Sequence, residues 1–213
     1  MRYQGKFCSL LLGLALAAVG AQKNAVAEDA PTAPPVPKAA DTAKPADSKE
    51  VAVIKTTEGT MVVEFWTDAA PKTIANFKKL AKSGFYDGTC FHRVIPGFMI
   101  QGGDPNTKDA SKEGEWGMGG PGYQIDAEFN DHSHERGVIS MARSSDPNSA
   151  GSQFFICHGS PTQLDHQYTT FGKLTKGFDV LDKIATTPTH RPDRPNTRMG
   201  IISIKIVPAS EAQ

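Results

Sequence analysis

The sequence predicts a mainly β fold in which the strands close into a barrel or pair into a sandwich, capped by two α-helices. Many short runs of β-branched and aromatic residues are separated by glycine, proline and aspartate, whereas only two stretches show the spacing of a helix. A sheet with so many strands must pair or close its edges, which favours these two architectures. The runs fall within residues 50–208, a length sufficient for one domain with one hydrophobic core.

Strand-like runs occur throughout this body. Val51 to Thr56 and Met61 to Phe65 flank Glu58-Gly59 and predict a hairpin. Phe91 to Gly102 has strand composition on both sides of Pro96-Gly97, which predicts two short strands separated by a turn or bulge. Further strands are predicted from apolar runs later in the chain, at 137–142, 153–157, 171–174 and 201–207.

Two segments have helical spacing. Apolar residues recur in the first at Ile74, Phe77, Leu80 and Ala81. Pro71 suits a first turn and Gly84 a C-terminal stop, so a helix is predicted from about residue 71 to residue 82. A second, shorter helix is predicted between Gly177 and Ala185, where apolar residues occur at similar intervals.

Residues 1–27 have the form of a secretory signal. Two basic residues precede an apolar run at 7–19, which is too short to span a bilayer comfortably. Small residues then offer cleavage after Ala27 or, as the second choice, after Ala21. We therefore expect an exported, periplasmic protein, with a membrane-tethered protein as the alternative if the signal is not cleaved.

Residues 28–49 are rich in alanine, proline, lysine and aspartate and contain almost no large apolar group. Such a segment cannot bury enough surface to offset its ordering entropy, so a disordered tether is expected. Without residues 1–27 the chain has 20 basic and 23 acidic side chains, a net charge of −3, and nucleic acid is not an expected partner. Cys90 and Cys157 lie in apolar strand-like runs; an oxidising compartment would permit pairing, but we expect buried thiols.

The run from Phe91 to Asp104 contains the first candidate functional residue, Arg93. Strict alternation would put Phe91, Arg93 and Ile95 on one face of a strand. A guanidinium in so apolar a run must reach water, a carboxylate or a ligand, because it is always charged. Taken alone, a snorkelling or ion-paired arginine is the simpler interpretation.

Other chemical motifs are weakly supported. His132-Ser133-His134 could chelate a metal from one strand face, but no third ligand follows at a suitable interval, and a solvated turn is the favoured interpretation. Cys157 and His158 are neighbours and would point to opposite faces of a strand, which argues against a catalytic pair. Residues 104–124 are rich in glycine, aspartate and lysine and predict a long surface loop without a particular chemistry.

Several longer motifs occur in the order found in the cyclophilin family of peptidyl-prolyl cis-trans isomerases. They are Phe91 to Asp104, Gly137 to Ala142, Gly151 to Ile156 and Thr170 to Lys173, and the chain resembles this family from about Val51 to Val207. The resemblance implies a closed eight-stranded antiparallel barrel capped by two helices. It also implies a rotamase that acts on proline-containing polypeptides and needs no cofactor and no metal.

The resemblance implies a groove on the outside of the barrel, with Arg93 as the catalytic residue. The implied substrate-binding residues are Phe98, Met99, Gln101, Ala142, Arg143, Gln153, Phe155, Leu164 and Tyr168. Arg143 stands where many members have Asn, which leaves the role of its side chain open. Gln163 occupies the position of a Trp in many eukaryotic members, and we expect weak cyclosporin binding because the indole donor is absent. Tyr168 takes the place of a groove histidine, as in many prokaryotic members.

An exported prokaryotic cyclophilin would accelerate X-Pro isomerisation in exported proteins and assist their folding, and we expect it to be a monomer. Two alternatives stay open. The body could be a peptide-binding chaperone with incidental isomerase activity, or a scaffold that works through the loop at 104–124 or through the tether. The sequence identifies no client protein.

Overall fold

A computed structural model describes residues 49–190 and 193–212. The predicted signal, and the predicted tether except Lys49, lie outside these residues. In the described part of the chain, no helix combines the length and the apolar character needed to cross a membrane.

The described residues form eleven strands and two α-helices. The strands are β1 (Glu50–Thr56), β2 (Gly59–Phe65), β3 (Cys90–Phe91), β4 (Arg93–Ile95), β5 (Met99–Gly102), β6 (Val138–Met141), β7 (Phe154–Cys157), β8 (Thr170–Lys176), β9 (Thr189–His190), β10 (Arg194–Pro195) and β11 (Met199–Pro208). The helices are α1 (Pro71–Lys82) and α2 (Phe178–Ala185), as predicted. The region predicted as a plain surface loop contains two short 3-10 helices, Pro105–Lys108 and Ala110–Glu115.

Nine strands form one antiparallel sheet in the order β3-β11-β1-β2-β8-β6-β7-β5-β4, while β9 and β10 pair separately. The two end strands of this order, β3 and β4, are separated along the chain by His92 alone. The backbone N–H of His92 donates to the carbonyl of Gln101 at 3.0 Å, so the chain itself joins the two edges. The sheet is therefore a nearly closed barrel, and it has the predicted eight strands if β3 and β4 are counted as one.

The interruption at His92 changes which side chains face the core. Phe91 is 1% exposed and Val94 is 1% exposed, and both belong to the main core cluster, whereas Arg93 is exposed. Phe91 and Val94 are three positions apart, an odd spacing, so His92 acts as an extra residue that shifts the alternation by one. The expectation that Phe91 and Arg93 share a face is therefore wrong.

The core fills the barrel and the contact with α1. The centre of this core is Phe77 on α1, whose ring lies between 5.2 and 6.0 Å from four other aromatic rings, those of Phe65, Tyr86, Phe154 and Phe171. The apolar face predicted for the first helix is the buried face of α1. With the barrel interior filled in this way, alternate side chains of β5, β6 and β7 must point outward.

A second apolar cluster lies on that outer face. Its buried members are Met99, Val138, Phe155 and Cys157, and its partly buried members include Ile95, Phe98, Ala142, Leu164 and Tyr168. Among the described residues, Cys90 and Cys157 are both buried and free, as expected. Burial raises the pKa of Cys157 to about 12, which argues further against a nucleophilic Cys157-His158 pair.

Candidate active site

The outer apolar cluster surrounds a small cavity of about 110 Å³. Its lining residues are Arg93, Phe98, Met99, Gln101, Ala142, Arg143, Phe155, Leu164 and Tyr168. These are all of the predicted site residues except Gln153. The structure therefore brings together nine side chains that are spread over 76 positions of the sequence.

One cross-strand row explains how the cavity is built. Arg93 on β4 pairs with Gln101 on β5, Gln101 pairs with Phe155 on β7, and Phe155 pairs with Ser140 on β6. Directly paired residues in a sheet have their side chains on the same face. The row therefore places a cation, an amide, an aromatic ring and a hydroxyl side by side on the outside of the barrel.

The turn between β4 and β5 brings Phe98 to the edge of this row. Gly97 has a φ of 76°, a conformation that favours glycine, so the predicted Pro96-Gly97 turn is confirmed. His158 anchors the turn: its Nδ1 accepts from the N–H of Gly97 at 2.8 Å, and its own N–H donates to the carbonyl of Phe98 at 2.9 Å. Phe98 is thereby fixed against the end of β7.

Arg93 forms an exposed ion pair at the mouth of the cavity. Its Nε lies 3.5 Å from Oδ2 of Asp193, and both side chains are nearly half exposed, at 44% and 45%. An exposed pair of this kind contributes about 0–1 kcal/mol, because water screens both charges. The guanidinium can therefore exchange the carboxylate for a ligand in the cavity at little cost.

Gln153 lies next to the cavity and connects it to the loop at 104–124. Its Oε1 accepts from Nε2 of Gln101 at 3.0 Å, and its Nε2 donates to the carbonyls of Gly117 and Gly119 at 2.9 and 2.8 Å. The tenth predicted site residue thus holds Gln101 in place and lines a second, larger groove instead.

This larger groove has a volume of about 780 Å³ and shares Gln101, Ala142 and Arg143 with the cavity. Residues 117–124 supply much of its wall, which sequence reasoning did not predict. Buried Asp104 organises that wall: Oδ1 accepts from the N–H of Asn106, and Oδ2 accepts from the N–H groups of Gly117 and Gly119. The only signal in the sequence was an aspartate ahead of a glycine-rich segment.

The side chain of Arg143, whose role the sequence left open, braces the rim of the cavity. Its guanidinium donates to the carbonyls of Ser144, Ser145 and Gln167 at distances between 2.8 and 3.2 Å. It also covers the ring of Tyr168 at 4.6 Å from the centroid. Arg143 therefore ties the segment after β6 to the segment that carries Tyr168.

The favoured interpretation of His132-Ser133-His134 as a solvated turn is wrong for His134. His132 is exposed and stacks on Trp66 at 3.9 Å, but the side chain of His134 is 0% exposed. His134 Nδ1 lies 2.8 Å from Oδ1 of Asp165. Because this partner is 31 residues away, nothing in the local sequence predicted the burial.

His92, next to Arg93, is a second buried histidine. It is 6% exposed, and within the described residues its Nδ1 has no hydrogen-bond partner. Burial lowers the pKa of His92 to about 4, while the Asp104 carboxylate partly opposes this shift. His92 is therefore neutral in the folded protein at pH 7.

This shift predicts how stability depends on pH. The folded-state pKa of about 4 lies below the ordinary value of 6.5, so between these values the unfolded chain binds a proton that the folded chain does not. The free energy of unfolding should therefore fall by about 3 kcal/mol as the pH falls from 6.5 to 4. In His92→Gln this contribution should vanish. Urea unfolding across this pH range checks it.

A matched control is His190→Gln, at an exposed histidine on β9. Its unfolding free energy should follow the wild-type pH dependence. A His92→Gln variant that keeps the full wild-type slope would contradict the assignment.

Comparisons with known proteins agree with the barrel. The family model described as "Cyclophilin type peptidyl-prolyl cis-trans isomerase/CLD" matches residues 51–206. A "Peptidyl-prolyl cis-trans isomerase" of Synechococcus elongatus is 50% identical over 122 residues, which cover 57% of this chain and 78% of the relative. A "Peptidyl-prolyl cis-trans isomerase-like 1" of Neurospora crassa is 42% identical over 161 residues, which cover 72% of this chain and 92% of the relative.

Solved structures show the same fold. A cyclophilin type peptidyl-prolyl cis-trans isomerase of Cryptosporidium parvum, crystallised in the presence of the dipeptide Ala-Pro, is similar with a TM-score of 0.66 and 37% identity. The match covers 74% of this chain and 98% of that one. A cyclophilin of Hirschia baltica is similar with a TM-score of 0.62 and 26% identity, over 78% of this chain and 76% of that one. These similarities confirm the predicted fold class.

Proposed function

Since the chain belongs to the cyclophilin-type family of peptidyl-prolyl cis-trans isomerases, we propose that it accelerates X-Pro isomerisation in exported proteins and assists their folding. The observation that carries the assignment of the active site is the position of Arg93 at the mouth of an apolar cavity. The proposal of export rests on the secretory signal at residues 1–27.

X-Pro isomerisation requires that the peptide bond be held in place and that one cationic donor face the prolyl nitrogen. Amide resonance sets a barrier of about 18–20 kcal/mol, so an uncatalysed X-Pro bond turns over in tens to hundreds of seconds. In the twisted transition state the prolyl nitrogen is no longer conjugated with the carbonyl and becomes a better hydrogen-bond acceptor. A guanidinium N–H of Arg93 that donates to this nitrogen would bind the transition state more tightly than the planar ground state. No proton is transferred.

The apolar wall strengthens this interaction. Met99 and Phe155 are 2% and 5% exposed and form the base of the cavity, while Phe98 and Leu164 are partly buried at its rim. A proline ring bound among them would displace water, and a hydrogen bond from a cation is stronger where water is excluded. Lowering the barrier by about 7 kcal/mol would accelerate the reaction by roughly five powers of ten.

The arrangement of the cavity and the larger groove indicates where the peptide residues that flank the proline would bind. The cavity and the groove meet at Gln101, Ala142 and Arg143, so an extended peptide lying across Ala142 could occupy both. The Cryptosporidium parvum relative was crystallised with Ala-Pro, which supports proline-containing peptides as ligands of this chain. In this proposal Gln101 and Gln153 contact the peptide backbone, while Arg143 and Tyr168 form the edge of the cavity. The enzyme acts as a monomer without a cofactor.

Replacing Arg93 tests the proposed mechanism. Arg93→Ala should lower kcat/KM for a short Ala-Pro peptide by roughly 10²- to 10³-fold, the usual loss when one oriented donor is removed. Lys205→Ala is the matched control, since Lys205 is also an exposed cation and pairs with a carboxylate, that of Asp87, at 3.6 Å. The control should keep the wild-type rate. Equal rates for Arg93→Ala and the wild type would refute the mechanism.

The residue at position 163 should control cyclosporin affinity. Gln163 lies exposed in the 3-10 helix Thr162–Leu164 at the rim of the cavity and provides no indole donor. We expect weak inhibition of the wild type and about fivefold tighter binding by Gln163→Trp, because one added hydrogen bond contributes about 1 kcal/mol. Gln163→Phe, which has a ring but no donor, should remain weak in the same titration. Nanomolar inhibition of the wild type would overturn this expectation.

Export has its own test. Protein recovered from the periplasmic fraction should have the mass of a chain that begins at Glu28 or at Gln22. Full-length protein in the membrane fraction would support the tethered alternative instead, and full-length protein in the cytosol would contradict export.

A further inference from the structure

A polar pair, the buried His134 and the partly exposed Asp165, lies directly behind the wall of the cavity. The imidazole of His134 is 0% exposed, and Asp165 is 22% exposed. Oδ1 of Asp165 lies 2.8 Å from Nδ1 of His134 and also accepts from the backbone N–H of His134 at 2.7 Å. Two contacts on one carboxylate oxygen fix both the backbone and the ring of His134.

The pair contacts two of the residues that line the cavity and is next in sequence to a third. The ring of His134 stacks on Phe155, with centroids 5.8 Å apart and planes 13° apart, and it meets the ring of Tyr168 edge-on at 6.5 Å. Asp165 directly follows Leu164, and its Oδ2 accepts from the hydroxyl of Ser133 at 2.5 Å. The carboxylate therefore joins the segment that carries Leu164 to the segment that carries the histidine.

The hydrogen-bond partners of His134 indicate which ring nitrogen carries the proton. A carboxylate accepts only, so Nδ1 of His134 carries a proton. Nε2 lies 3.1 Å from Oγ of Ser140, whose single proton can go to Nε2 or to the carbonyl of Thr169 at 2.9 Å. That carbonyl already accepts from the N–H of Met141 at 3.0 Å, so a neutral imidazole with Ser140 as donor satisfies every group.

The charges of the two groups agree with this arrangement. Burial lowers the pKa of His134, and the hydrogen-bonded Asp165 only partly raises it again. Partial burial raises the pKa of Asp165, but hydrogen bonds from Ser133 and His134 more than offset this effect and lower it to about 2. The charged carboxylate of Asp165 therefore holds the neutral ring of His134 in place, and the face of this ring packs against Phe155.

We propose that His134 and Asp165 form a positioning pair that sets the distance between Phe155, Leu164 and Tyr168, and thereby the affinity of the cavity for a proline ring. This inference rests on the proposed function, because it assumes that the cavity binds proline. Arg93 lies two strands away from Phe155 in the cross-strand row, so loss of the pair would loosen the cavity without moving the catalytic cation.

The expected signature is a separation of KM from kcat. A wall that binds proline equally in the ground and transition states affects KM and leaves kcat unchanged. His134→Gln and Asp165→Ala should each raise KM for a short Ala-Pro peptide about tenfold, since small displacements of a bound group are costly, while kcat stays within about twofold. The double variant should show no more than the larger single effect, because the two residues act as one unit.

Two variants serve as controls. Asp165→Asn keeps an oxygen that can accept from Nδ1 of His134, so it should retain the wild-type KM. His132→Gln makes the same substitution two residues away, where the imidazole stacks on Trp66 outside the cavity, and it should also retain the wild-type KM. All measurements are made below the unfolding temperature of each variant. If His134→Gln does not fold, the two Asp165 variants decide the question.

The possible results distinguish failure of the positioning role from failure of the proposed isomerase function. A merely structural pair would lower the unfolding temperature and the fraction of active enzyme while KM stayed unchanged, and this result in an active protein would overturn the positioning role alone. A KM for Asp165→Asn as high as that for Asp165→Ala would also overturn it, as would equal KM increases in His132→Gln and His134→Gln. A wild-type protein that fails to turn over the peptide would overturn the proposed function and the positioning role together.

Discussion

The site depends on the register of one cross-strand row on the outside of the barrel. Arg93, Gln101, Phe155 and Ser140 face the same way because each is paired with the next across four strands. The extra residue at His92 sets this register: it leaves Phe91 in the core and turns Arg93 outward. Without that shift the guanidinium would face the barrel interior, where a charge without a partner is prohibitively costly.

A preformed cavity with one weakly held cation accounts for the absence of familiar catalytic motifs. Isomerisation of an amide bond transfers no proton and forms no covalent intermediate, so acid, base and nucleophile are unnecessary. What the reaction needs is a rigid apolar wall and a donor aimed at one nitrogen. Two of the wall's aromatic residues pack against further side chains, Phe155 against His134 and Tyr168 against Arg143. Arg93, in contrast, forms an exposed ion pair with Asp193, in which water screens both charges.

The sequence predicted those parts of the fold that have local causes. Helical spacing from Pro71 onward, the hairpin around Glu58-Gly59 and the turn at Pro96-Gly97 each depend on a few neighbouring residues. The predicted site residues came from motifs, and the structure gathers nine of ten around one cavity. The features that the sequence did not predict depend on partners that are distant in the chain. Asp165 forms hydrogen bonds with His134, 31 positions away, and Asp104 accepts from the N–H groups of Gly117 and Gly119, 13 and 15 positions away. The spacing of apolar residues along the sequence does not indicate contacts between residues so far apart.

We propose that Arg93 and the apolar cavity bind an X-Pro bond together, and a crystal structure of this chain with a short Ala-Pro peptide would show whether they do. We expect the proline ring to lie among Phe98, Met99, Phe155 and Leu164, with a guanidinium nitrogen of Arg93 within about 3 Å of the prolyl amide, an ordinary hydrogen-bond distance. The ion pair with Asp193 should be lengthened or broken. A peptide bound outside this cavity, or an Arg93 that still faces Asp193 alone, would rule out this binding mode.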